Sequence, residues 1–267
     1  VMPFISASAI SPYNSIRGGA AGEALDPILA FSPFNVWDSE HVVVDGTTTT
    51  FTDFNNVGTT YDLTNPAATN QPTYNSSDSN FNNLPSISFD GVDNYASGTA
   101  ASYRNSDTSG VFVSVYKRTG AYSRINPFIV SDTVTSNYIG FQIVQNSTYR
   151  FILITSGAQV RSWRGSTNIN NTTTSYAVAN VCTGSSYKQW INETPQTITM
   201  VSGANDGNIW LNNEASGFDT LSFGALVRLG TPSNFAPLDW VFSGYFPYTS
   251  DSQIDDIMAY LVTKYGL

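Results

Sequence analysis

From residue 26 onward, short apolar runs alternate with clusters of Gly, Asn, Ser, Thr and Asp. Residues 86–89 (SISF) alternate at period two, the pattern of a strand with one buried face. Residues 111–116 are nearly continuously apolar, as in a strand buried on both faces. Residues 141–144, 149–154, 197–201 and 208–211 are further short runs rich in Val, Ile, Phe, Thr and Tyr. Turn pairs separate them at Asp90-Gly91, Ser156-Gly157, Ser202-Gly203 and Asp206-Gly207. Many short strands with turn residues between them predict a sandwich or barrel, and no repeat of 20–50 residues suggests a solenoid. Residues 47–83 and 167–175 are polar, rich in Thr and Asn, and read as long surface connections.

One segment follows helical periodicity, from about Asp251 to Lys264. Ile254, Ile257, Met258, Leu261 and Val262 form a single apolar stripe. Ser250 stands as N-cap with Gln253 as its capping-box partner. Asp251, Asp255 and Asp256 lie in the first turns and Lys264 in the last, as the helix dipole favours, and Gly266 marks the stop. Residues 1–25 fit neither period. With Ser11-Pro12 and the Gly-rich run from Arg17 to Gly22, they read as an extended arm ahead of one domain spanning 26–267.

Composition agrees with a folded β-protein. Charged residues make up 12%, but aromatics at 13% and apolar residues at 41% exclude a disordered chain. The net charge of −9 argues against nucleic acid as partner, and Arg150, Arg161 and Arg164 read as ordinary surface cations. No run reaches the ~18 apolar residues of a membrane-spanning helix. Residues 1–10 lack the basic start of a secretion leader. The lone Cys182 forms no internal disulfide and reads as a small buried hydrophobe.

Residues 85–95 (PSISFDGVDNY) carry a more specific signal. They resemble the block of concanavalin A-like, laminin-G-type jelly rolls in which Phe-Asp-Gly follows a Pro-led strand. Residues 71–74, 36–38 and 52–53 fall where that family has its preceding strand and turns. Residues 111–116 match its first long core strand, 208–213 its Asn-Gly hairpin, and 240–266 its closing strand and helix. The resemblance covers roughly residues 35–265. The chain departs from the family at Asn94, which replaces a second Asp, at the closing strand, which lacks its Glu, and at the turn 55–58. The resemblance implies an all-β fold: a two-sheet antiparallel jelly-roll sandwich with one C-terminal α-helix. It also implies carbohydrate-binding or structural roles, in secreted bacterial proteins or bacteriophage virions.

Few residues offer chemistry. His41 is the only histidine and reads as a strand-end residue rather than as part of a triad. One His and one Cys cannot build a zinc site. The four glutamates, at 23, 40, 193 and 214, have no acidic neighbour two or three positions away. Glu193 with Asp206 is the candidate carboxylate pair for a glycoside hydrolase or polysaccharide lyase. Asp90, Asp93 and Asn94 are the candidate oxygen ligands for calcium, beside the plainer reading of a tight Asp-Gly turn; no other cofactor is expected. Trp163, Arg164, Tyr187 and Trp190 are the candidate sugar-binding residues, beside the plainer reading of core aromatics.

The expected function is therefore a non-enzymatic structural protein of a bacteriophage virion: a decoration, head-fibre or tail-associated subunit. Its arm would dock on other virion proteins or on copies of itself, giving a homo-oligomer, with glycans as further partners. The alternative is a carbohydrate-binding module or lectin of a bacterial surface or secreted protein. A polysaccharide-degrading enzyme is the third reading.

Overall fold

A computed structural model describes residues 26–55, 59–120, 124–125, 127–144, 150–155, 158–169, 171–213 and 217–267. The arm expected at 1–25 lies outside the described residues. Two large sheets pack face to face. The first has eight strands, in the order Thr194–Pro195, Tyr187–Ile191, Ser175–Cys182, Gly110–Arg118, Pro237–Phe246, Leu84–Asp90 and Thr73–Asp78, with Asn35–Asp38 also paired to Pro237–Phe246. The second has eleven and runs from Thr199–Ser202 at one edge to Val42–Asp45 at the other. The pairings are antiparallel throughout, and the architecture is that of a jelly-roll sandwich. Among the described residues the only α-helix is Asp251–Tyr265.

Strand Pro237–Phe246 is the axis of the first sheet. It pairs with Gly110–Arg118 along one side. Its other side pairs with Leu84–Asp90 through its first half and with Asn35–Asp38 through its second. A register shift between Trp240 and Phe242 marks a bulge. Leu238, Trp240 and Tyr245 enter the core between the sheets, whereas the consecutive Val241 and Phe242 both join the cluster on the sheet's outer face. The period-two alternation thus resumes one residue out of phase, and all ten residues are buried.

Residues 111–116 are buried on both faces, as their apolar run predicts. Phe112 and Tyr116 face the inter-sheet core, which holds Trp37, Phe51, Phe89, Trp163, Phe223 and Trp240. Val111, Val113 and Val115 face outward with Ala177, Ala179 and Val181, under the C-terminal helix. The helix lays Ile254, Ile257, Met258, Leu261 and Tyr265 onto them. Tyr265 rather than Val262 completes the stripe, because position 265 lies three turns from Ile254 and Val262 is turned half out. The caps form as expected. Ser250 accepts from the Gln253 N–H at 3.2 Å, and Gly266 adopts φ 67° with its N–H on the Val262 carbonyl. Gln253 reaches back to the N–H of Thr249, 3.1 Å away, one residue before the N-cap.

Two expectations are corrected. Residues 47–83 are not one surface connection. They contain strands Thr48–Phe51, Leu63–Thr64 and Thr73–Asp78, and Thr-rich alternation such as that of 48–51 suits strands as well as loops. The hairpin expected at 208–213 is absent. That segment ends in a short 3₁₀ turn at Leu211–Asn213. The Ile209 backbone bonds the Tyr187 hydroxyl through both its carbonyl and its N–H, and the Asn212 N–H goes to the Asp107 carbonyl, so no strand ladder takes these groups.

The helix is tied to the start of the sandwich by one ammonium. Lys264 Nζ lies 3.0 Å from Asp26 Oδ2, 3.0 Å from Asp38 Oδ2 and 2.9 Å from Glu40 Oε2, with its side chain 13% exposed. His41 Nδ1 lies 2.7 Å from Asp38 Oδ1, and its ring stacks on Phe54 at 3.9 Å. Burial pushes the Asp38 carboxyl up, but the bond from His41 and the charges of Lys264 and His41 outweigh it and hold the group below 3.8. The bond to Asp38 raises His41 above 6.5 against the opposing effect of burial.

Replacing Lys264 with Met leaves three carboxylates without their cation. It is expected to cost about 3 kcal/mol, read as a lower denaturant midpoint at unchanged slope. The node also has a pH window. A lowered acid stabilises above its unfolded value, and that contribution is lost as pH falls through the folded one. A raised histidine stabilises below its unfolded value, and that contribution is lost as pH rises through the folded one. The node therefore contributes most between about pH 4 and 6.5. The unfolding free energy should decline as pH rises from 6 to 8, and His41→Gln should flatten that limb in urea titrations.

Candidate binding face

The helix covers only part of the first sheet's outer face. Beyond it, one row of directly opposed residues crosses five strands: Ser175, Lys117, Asp239, Ser88 and Thr73. Opposed residues of antiparallel strands project to the same side, so this row continues the surface that Val115 and Val113 begin under the helix. Asn75 and Ser86 form the adjacent pair on the same face. Every one of these seven side chains is polar, and Asp239 stands in a strand whose other nine residues are all apolar apart from Ser243.

The side chains are fixed by one hydrogen-bonded web. Asn75 Nδ2 donates to Ser88 Oγ at 2.8 Å and to Ser86 Oγ at 3.3 Å. Ser88 in turn donates to Asp239 Oδ1 at 2.5 Å, and Ser86 to Asp78 Oδ2 at 2.8 Å. Asp78 Oδ1 accepts from both the backbone N–H and the side-chain amide of Asn80. Lys117 Nζ donates to Asn80 Oδ1 at 2.7 Å. Asp239 Oδ2 and Asn75 Oδ1 receive no hydrogen bond from the described residues, and neither is a sealed, unsatisfied atom. The residue Asp239 is 9% exposed. Burial pushes its carboxyl above 3.8 and the Asp78 charge adds to this, while the Ser88 hydrogen bond and the Lys117 charge offset part of it.

The side chains singled out from the sequence lie elsewhere. Trp163 is fully buried and stacks on Tyr187 at 4.3 Å, inside the inter-sheet core. Tyr187 is itself 1% exposed, with its hydroxyl on the Ile209 carbonyl. Trp190 faces the other side of its strand, under the helix, where its indole N–H donates to Asp255 Oδ1 at 2.9 Å. The expectation that these rings stack on a sugar is corrected: each has both faces occupied by protein, because a sandwich with a helix on one outer face has two apolar layers to fill. Arg164 remains at the surface.

Asp90 Oδ1 accepts the backbone N–H groups of Val92, Asp93 and Asn94. Asn94 Nδ2 donates to Asp93 Oδ1. The residues offered for calcium thus shape their own turn. Gly91 is required there: its φ is +76°, and a Cβ would meet Pro237 at 2.7 Å. Among the described residues no three His, Cys, Asp or Glu side chains cluster to hold a metal. Asp206 is ion-paired to Arg161 at 2.9 Å, while Glu193 is exposed on the hairpin between strands 187–191 and 194–195, so the suggested carboxylate pair is not assembled. Cys182 is buried, and burial pushes its thiol up to about 11.

A buried acid elsewhere serves the fold. Asp53 accepts from the N–H groups of Val36, Asn55 and Tyr61 and from the side chains of Asn35 and Asn55. Burial pushes it up to about 6 in spite of these donors. It fastens strand Asn35–Asp38 of the first sheet to the segment that follows Thr48–Phe51 of the second.

No family model and no curated protein matches the chain. Solved structures do. A Trypanosoma rangeli sialidase in complex with 2,3-difluorosialic acid superposes with a TM-score of 0.53 over 87% of this chain, at 11% identity. The match takes in 33% of that sialidase, about a third of its length. The CBM40 of the Ruminococcus gnavus IT-sialidase, a carbohydrate-binding module, gives 0.49 at 15% identity over 65% of this chain and 96% of its own. The same module bound to α2,3-sialyllactose gives 0.46 at 16% identity, over 56% and 82%. The likeness is one of fold: the jelly-roll sandwich. Neither of these two proteins points to a bacteriophage virion.

The charge on Asp239 is held at a cost to stability. An acid whose folded value is raised binds its proton more tightly when folded, so stability falls as pH rises from 3.8 through that value. Asp239→Asn is therefore expected to raise the thermal midpoint at pH 7. The gain should vanish below about pH 4, where both states are protonated, in scanning calorimetry across that range.

Proposed function

We propose that this chain is a non-catalytic carbohydrate-binding module acting outside the cell, and that it engages a glycan on the polar row of the first sheet. The observation that carries the reading is the pair of acceptors that receive no hydrogen bond from the described residues, Asp239 Oδ2 and Asn75 Oδ1, on one face of the first sheet. Sugar hydroxyls donate hydrogen bonds, and a carboxylate and an amide oxygen held by neighbouring side chains accept them without further ordering. A hydrogen bond to a charged acceptor contributes roughly 1.5–3 kcal/mol. Two or three contacts on an open face then give dissociation constants from about micromolar to millimolar. The surroundings support binding rather than turnover: Asp239 and Asp78 are tied into the same web through Ser88, Asn75 and Ser86, and Glu193 and Asp206 form no pair.

The reading is tested by presenting the whole chain to immobilised glycans while assaying the same glycans for new reducing ends. Retention on a subset, without product, is the expected result. Release of reducing sugar would make the chain an enzyme, and retention on none would remove the carbohydrate reading.

A further inference from the structure

Resting on the glycan reading, we infer that the polar row selects a sugar presenting hydroxyl donors and no carboxylate, so that an uncharged glycan binds and its sialylated counterpart does not. The reason is the direction of the hydrogens. Asn75 spends its amide hydrogens on Ser86 and Ser88, and those hydroxyls spend theirs on Asp78 and Asp239. What the centre of the row turns outward is lone pairs. A ligand must therefore supply the hydrogens. A hydroxyl does so, and an ionised carboxylate has none to give.

Charge points the same way. The row and the web that fixes it hold two carboxylates, Asp239 and Asp78, against one ammonium, and Lys117 already donates to Asn80. The C-terminal end of the helix lies beside the row, with the Lys264 carbonyl accepting from Asn82 Nδ2, and that end carries partial negative charge. The chain as a whole is at −9. An anionic sugar placed on this face meets Asp239 and Asp78 at short range, with the Lys117 ammonium, which already donates to Asn80, as the single cation of the row.

The inference separates this face from the neighbour whose structure holds α2,3-sialyllactose. Fold likeness does not transfer a ligand, because the ligand is chosen by side chains and not by the sandwich.

The test uses matched glycan pairs that differ only in a terminal sialic acid, measured by calorimetry against the whole chain, Asp239→Asn and Asn75→Ala. The uncharged member should bind at least tenfold more tightly than its sialylated counterpart. Each substitution should weaken that binding at least tenfold, with the thermal midpoint of Asp239→Asn no lower than that of the parent. Equal or tighter binding of the sialylated member overturns the inference and leaves the glycan reading intact. Uncharged-glycan binding that survives both substitutions overturns the inference and the placement of the glycan on the polar row, since the site is then elsewhere, and leaves only carbohydrate binding as such. Failure of every pair to bind overturns both.

Discussion

The first sheet is apolar on its inner face and over part of its outer face, and that constraint organises the molecule. A strand such as Gly110–Arg118 satisfies its backbone in the ladder, but its two rows of side chains each need an apolar cover. The second sheet covers the inner row. The outer row of Val111, Val113 and Val115 is exposed unless something else is brought there, and the C-terminal helix is what the chain supplies. The Lys264 cluster, the Trp190–Asp255 bond and the Lys188–Asp251 ion pair at 2.6 Å all hold that helix in place.

The same constraint defines the candidate binding face. The helix spans only part of the sheet, so the outer row changes character where its cover ends. Val113 and Val115 give way to Lys117 on one strand, and Val241 gives way to Asp239 on the next. The switch is made at the same level on three strands, at Ser175, Lys117 and Asp239, and Ser88 and Thr73 extend the row on the next two, which is why the polar side chains meet as a row rather than scatter. The bulge after Trp240 allows Pro237–Phe246 to serve both regions, since it resets which residues face out.

The proposed glycan binding rests on a few oriented atoms of this face. Asp239 stands where burial opposes its charge, and among the described residues its neighbours donate to only one of its oxygens. The buried Asp53 marks the contrast. It is also raised by burial, yet both of its oxygens are taken up by surrounding N–H groups, so it has no capacity left for a ligand.

Local rules settled much of the fold. The helix, its caps and its stripe were legible because every signal lies within residues 250–266. The two-faced burial of 111–116 was legible from its unbroken apolar run, and the jelly-roll sandwich from the block at 85–95. Three things required the tertiary structure. One is which aromatics are covered: Trp163, Tyr187 and Trp190 sit near polar segments in sequence, but one faces a sheet, one a ring and one a helix. Another is the state of residues 208–213, whose backbone is claimed by Tyr187 and Asp107 from outside the segment. The last is the candidate binding face, where Asn75, Ser88, Lys117 and Asp239 are brought together by pairing between strands far apart in the chain. The single local sign of it was Asp239, a carboxylate within a strand otherwise almost wholly apolar. Periodicity reports which face a residue takes along its own strand, whereas register across strands decides its neighbours, and register is set by packing over the whole sandwich.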